Sequence, residues 1–127
     1  MPLIKRFEGV QAWQEARLLT KGIYTLTQSG AFARDFGLKD QIQRAAVSIM
    51  ANIAEGFDCG SKAEFTRFLG IARRSTVEVQ SLLYAALDTG YITEDIFKVH
   101  YAQAHKTKAL VGGFMHSLKN RPPTPGT

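Results

Sequence analysis

Apolar residues recur at helical spacing along almost the whole chain, and the pattern is densest between residues 38 and 55. There Leu38, Ile42, Ala45, Ile49 and Ile53 form one stripe, and Val47, Met50 and Ala54 form another. A polar row of Gln41, Arg44, Ser48, Asn52 and Glu55 runs between them, spaced three or four residues apart. A helix that is apolar on most of its surface is a central helix. A buried polar group without a hydrogen bond costs ~1–3 kcal/mol, so such a row requires partners on a neighbouring helix or a second subunit.

The same periodicity predicts three more helices. The first covers Val10 to Gln28, where Ala12, Ala16, Leu19, Ile23 and Leu26 keep the 4-3-4-3 spacing of a coiled-coil-like seam and Trp13, Arg17 and Tyr24 lie on a neighbouring face. Gly30 suits the left-handed conformation that ends a helix, and Ala31 to Gly37 reads as a loop whose Phe32 and Phe36 fold back over the core. The second helix runs from Leu38 to Glu55, with Gly56 placed to cap it. After a short loop of Phe57, Asp58, Cys59 and Gly60, Ser61-Lys62-Ala63-Glu64 forms a capping-box pattern. The third helix therefore spans Lys62 to Asp88, with Phe65, Leu69, Ala72, Thr76, Val79, Leu83 and Ala86 on its seam, and Gly90 ends it. Thr93 caps a fourth helix from Glu94 to Leu118, which turns Ile96, Phe97, Tyr101, Ala104, Val111, Phe114 and Leu118 to the core. Gly112-Gly113 is a weak point there, because each glycine costs ~1 kcal/mol against alanine; a bend or a close backbone approach is expected. No alternating strand pattern occurs. The predicted fold is all-α, an antiparallel up-down-up-down four-helix bundle. One domain occupies residues 1–119, and the Pro-rich stretch 120–127 is read as a flexible tail.

Composition alters this picture in one respect. The 127 residues are 45% apolar and 21% charged, ordinary for a globular protein with a real core. No apolar run approaches the ~20 residues of a membrane span, and no apolar leader segment precedes Val10. The single cysteine, Cys59, excludes an internal disulfide and a multi-cysteine zinc site, so the expected location is cytoplasmic. The net charge, however, is +5 with a pI of about 9.6, and it is unevenly placed. After Asp95 there is no carboxylate side chain, yet Lys98, Lys106, Lys108, Lys119 and Arg121 follow. Lys62, Arg67, Arg73 and Arg74 form a second cluster. Basic surface of this kind suits a polyanion such as RNA or DNA.

Several motifs then carry a family resemblance. They are Val10-Gln11-Ala12-Trp13-Gln14-Glu15-Ala16, Phe36-Gly37-Leu38-Lys39-Asp40-Gln41-Ile42, Arg44-Ala45-Ala46-Val47-Ser48-Ile49, Asn52-Ile53-Ala54-Glu55-Gly56, and Glu64-Phe65 with Phe68-Leu69-Gly70-Ile71-Ala72-Arg73. Ser75, Glu78 and Gly90-Tyr91 extend the match. Across Phe7 to Tyr91 the sequence resembles the bacterial four-helix-bundle proteins called ribosomal RNA intervening-sequence proteins. It is also similar to the accessory variability protein of diversity-generating retroelements, a basic pentamer that binds nucleic acid and a reverse transcriptase. The resemblance implies a bundle that assembles as a ring-like homopentamer. It implies no reaction for the intervening-sequence branch. Two positions depart from the family pattern: Arg74 adds a charge where Ala-Arg-Gly-Ser is usual, and Cys59 stands where a basic residue is common.

These readings sort the candidate residues. Lys62, Arg67, Arg73, Arg74, Lys106 and Lys108 are the candidate nucleic-acid-binding residues. The competing reading is a solvated face in which Arg74 pairs with Glu78 four residues on, worth only ~0.3–0.5 kcal/mol. Gln41, Arg44, Ser48, Asn52, Glu55 and Glu78 read as a structural polar network that sets packing or subunit register, in preference to an acid–base site. His100, His105 and His116 lack metal-site spacing, since neither Glu-x-x-His nor His-Glu-x-x-His occurs. Cys59 has no histidine nearby in sequence to activate it. The tyrosines at 24, 84, 91 and 101 read as core or interface residues. The expected function is therefore non-enzymatic: an oligomer, without metal or cofactor and away from membranes, that binds nucleic acid with low sequence specificity. A scaffold or accessory subunit for a protein partner, such as a nucleic-acid-processing enzyme, is the alternative.

Overall fold

A computed structural model describes residues 4–120. Among them the secondary structure is all-α, with no strand. A 3₁₀ turn over Phe7–Gly9 precedes five helices: α1 (Gln11–Leu26), α2 (Gly30–Arg34), α3 (Phe36–Asp58), α4 (Lys62–Asp88) and α5 (Glu94–Asn120). α1 packs on α3 and α5, and α4 packs on the same two helices, so the four long helices enclose one core. Touching residues rise in number along one helix as they fall along its neighbour. Thr20 Oγ1 donates to the Ala46 carbonyl and Gln43 Nε2 to Thr27 Oγ1; Ser48 meets Ser75 while Gln41 meets Glu78; Phe65 meets Phe114 while Tyr84 meets Phe97. The core consists of the periodic positions: Ala12, Ala16, Leu19 and Ile23 of α1, Ile42, Ala45, Ile49 and Ile53 of α3, the whole α4 seam, and Ala104, Val111 and Leu118 of α5 are buried.

Local chemistry sets most boundaries. Ser61 Oγ accepts the Glu64 N–H at 3.3 Å and opens α4. The Glu64 carboxylate does not reach back to complete the box, because Arg67 holds it at 3.1 Å. Gly90, at φ +80°, ends α4, and the Tyr91 N–H returns to the Ala86 carbonyl at 2.9 Å. Thr93 Oγ1 accepts the Ile96 N–H and starts α5.

Six expectations are corrected. The segment 31–37 is not all loop: α2 forms across it and buries Phe32, whose ring stacks on Tyr91 at 5.3 Å. Phe36 does not fold back, being 72% exposed with Lys39 Nζ over its ring. The second long helix starts earlier, because Asp35 Oδ1 accepts the Leu38 N–H as an N-cap. It also ends later. Gly56 is not a cap but a buried residue inside α3, against Phe65 and Phe68 of α4, and Gly60, at φ +77°, makes the turn instead. In α5, Gly112-Gly113 neither interrupts the helix nor admits another backbone; the nearest group to Gly112 is the Arg73 side chain. Ile96 is exposed rather than core-facing. Of the expected tail, Asn120 closes α5, and 121–127 lie outside the described residues.

Candidate nucleic-acid interface

α4 and α5 position the basic residues. At 3.6 residues per turn, Gly70, Arg73, Arg74 and Val77 share the side of α4 that flanks α5. Lys108 and Met115, seven residues apart, share the facing side of α5. These six residues line one open groove of about 370 Å³. Arg73 and Arg74 are exposed and Lys108 is half-buried. None of the three forms an ion pair with a carboxylate among the described residues. Arg74 does not pair with Glu78, whose carboxylate instead accepts from Gln41 Nε2 of α3 at 3.5 Å. With no acidic side chain in α5 after Asp95, the groove concentrates three cations that no ion pair neutralises among the described residues.

The other candidates lie elsewhere. Lys106 is two residues from Lys108, roughly 200° around the helix, and its ammonium pairs with Glu15 of α1 at 3.1 Å. Arg67 is bound by Glu64, its guanidinium lies 4.7 Å from the Phe68 ring centre, and the hydrogen bond to Glu64 holds its pKa above the ordinary value. Lys62 lies at the first turn of α4. Sequence reasoning missed Val77, Gly70 and Met115 as lining residues, although their spacing relative to Arg73, Arg74 and Lys108 carried the signal.

The polar row divides in two. Ser48 Oγ lies 3.0 Å from Ser75 Oγ, and Asn52 Nδ2 donates to the Ser48 carbonyl at 2.8 Å and to its hydroxyl at 3.1 Å. With Gln41 and Glu78 these residues follow the α3–α4 seam. Arg44 and Glu55 lie on the outer surface of α3; the Arg44 side chain is 80% exposed and pairs with Asp40 of its own helix at 3.1 Å. A second polar contact was not foreseen. Asp35, besides capping α3, accepts the Tyr91 hydroxyl at 2.9 Å. The Leu38 N–H and then Tyr91 hold its carboxyl below the ordinary range, while the bond to Asp35 raises the Tyr91 phenol. Among the described residues no group of three or more His, Cys, Asp or Glu side chains is placed to hold a metal ion, and no helix is long and apolar enough to cross a membrane.

Residues 8–113 match the family described as 23S rRNA-intervening sequence protein. The chain belongs to that family. A solved structure similar to this family member is a protein of unknown function from the S23 ribosomal protein family of Bacteroides thetaiotaomicron. The two are 23% identical, with a TM-score of 0.75, and the match covers 82% of this chain and 97% of that one. That likeness establishes the shared fold. No curated protein matches the chain.

Proposed function

We propose that this intervening-sequence protein is a non-enzymatic, cytoplasmic up-down-up-down bundle that assembles as a ring-like homopentamer and binds nucleic acid through backbone phosphates. The observation that carries the binding is the convergence of Arg73, Arg74 and Lys108 on one groove without a carboxylate partner. Phosphate contacts position a strand without reading its sequence, and no base-reading motif accompanies them, so specificity is low. Assembly is supported by apolar surface at the outer edge of the α1–α3 seam, where Tyr24 and Val47 are exposed, and by the family resemblance. Repetition around a ring multiplies a weak groove by effective concentration.

Binding of a labelled RNA or DNA at rising salt tests the reading. Three phosphate contacts per protomer give a slope of log K against log salt near about −2 on a single strand. The double substitution Arg73→Glu with Arg74→Glu abolishes binding while light scattering shows an unchanged oligomer. Binding that ignores both salt and the substitutions refutes the reading. A protein that co-purifies through high salt in place of nucleic acid establishes the scaffold role instead.

A further inference from the structure

Beyond the Val77 end of the basic groove, the surface of α4 and α5 turns aromatic. One more stripe position on α4 is Tyr84, and α5 continues the same line through Tyr101 and Phe97, spaced seven and eleven residues before Lys108. The structure brings these three rings together. Tyr84 lies 4.7 Å from Phe97 and 5.6 Å from Tyr101, centre to centre, and Phe97 lies 5.2 Å from Tyr101. Contrary to a core role, Tyr84 is 49% exposed, and Val77, between it and the arginines, is 46% exposed. A large ring left in water but braced by two others keeps a fixed orientation, which lowers the entropic cost of using it as a platform. Ten residues of helix separate Arg74 from Tyr84, about 15 Å. Between them the one carboxylate on α4 is Glu78, which accepts from Gln41 of α3, and α5 beyond Asp95 carries none.

A cationic groove leading to an exposed aromatic ring matches the chemistry of an unpaired strand. Phosphates need the cations, and an unstacked base presents a π-face to the ring whatever its identity. A duplex keeps its base faces inside its own stack and has no use for the ring. We infer that the α4–α5 seam receives single-stranded nucleic acid, with phosphates at Arg73, Arg74 and Lys108 and a base stacked on Tyr84. This inference rests on the phosphate-binding reading above and adds the strandedness of the ligand and a residue that selects it.

The test compares a fluorescein-labelled oligo(dT) strand with an oligo(dA)·oligo(dT) duplex matched in phosphate number, by anisotropy at one salt concentration. Tyr84→Ala weakens strand binding roughly 5- to 100-fold, the worth of one stacked base, and leaves duplex binding unchanged. Tyr84→Phe, which keeps the ring, binds the strand as the wild type does. The inference is overturned if Tyr84→Ala binds the strand normally, if it loses strand and duplex alike, or if light scattering shows that it changes the oligomer. The first of these outcomes leaves the phosphate reading standing. If Arg73→Glu with Arg74→Glu also leaves both probes bound, the phosphate reading fails as well.

Discussion

Gly56 offers the sharpest test of how α3 meets α4. A Cβ built on it would lie 2.7 Å from the Phe68 Cβ, 2.9 Å from the Phe65 Cδ1 and 3.4 Å from the Phe65 carbonyl oxygen. Carbon atoms are comfortable at about 3.5–4.0 Å, so the closest contact is short by nearly 1 Å. The atom it strikes is bonded to the α4 backbone and cannot swing aside as a side-chain tip could, so Gly56→Ala forces the helices apart. Overpacking of this kind costs about 1–3 kcal/mol. A neighbour fixed to the α4 backbone puts this contact in the upper part of that range, about 2–3 kcal/mol, and alanine's helix preference returns about 1 kcal/mol. The expected net loss is about 1–2 kcal/mol, on the order of 4–8 °C in melting temperature for a chain of this size. Gly113→Ala is the control. Gly113 is also within a helix but has nothing within 4 Å of its built Cβ, so the substitution stabilises by up to about 1 kcal/mol. Thermal and urea unfolding followed by circular dichroism, at one fixed protein concentration, measures both. A Gly56→Ala protein that melts at or above wild type would refute the close-packing argument.

Two further outcomes follow from the polar contacts. Asp35 has a folded-state pKa below its unfolded value, so its stabilising effect is complete above the unfolded value, about 3.9, and fades as the pH falls through the folded one; urea titrations should show wild type more stable than Asp35→Asn at neutral pH, with the gap closing in acid, and a gap independent of pH contradicts the assignment. Arg44→Ala removes only an exposed i,i+4 pair with Asp40, so it should alter the protomer by less than about 0.5 kcal/mol; a larger loss that grows on dilution places Arg44 at a subunit contact.

The parts of the fold set by neighbours in sequence were legible. Ser61 caps at Glu64, Gly90 turns and Thr93 caps through atoms three or four residues away, so the extent of α4 and the start of α5 followed from local rules. Gly56 was misread because a glycine after an apolar run looks like a helix stop, and only Phe65 and Phe68 on another helix reveal that it is a contact. Phe32 and Phe36 differ in the same way: their spacing is helical, but which one meets Tyr91 depends on the path of α2. In the site, Arg73 and Arg74 could be placed together from their positions on α4. Choosing Lys108 over Lys106 required knowing which side of α5 faces α4, and Glu15 on α1 settled the fate of Lys106. Arg67 was lost to Glu64, a carboxylate three residues away whose presence the sequence did show.

The contact between α1 and α5 joins the first and last long helices of the chain, as the Glu15–Lys106 pair illustrates. The α3–α4 pair, by contrast, is linked by only Cys59, Gly60 and Ser61. Loop-closure entropy grows with the length of chain that must be gathered, and contacts of short sequence separation form fastest. By these rules the α3–α4 hairpin, with Gly56 at its tight end, is the expected folding nucleus and the α1–α5 seam the expected last contact to close. On the same grounds the α1–α5 seam is the expected first place to open, which native-state hydrogen exchange would read as weaker protection there than along α3 and α4.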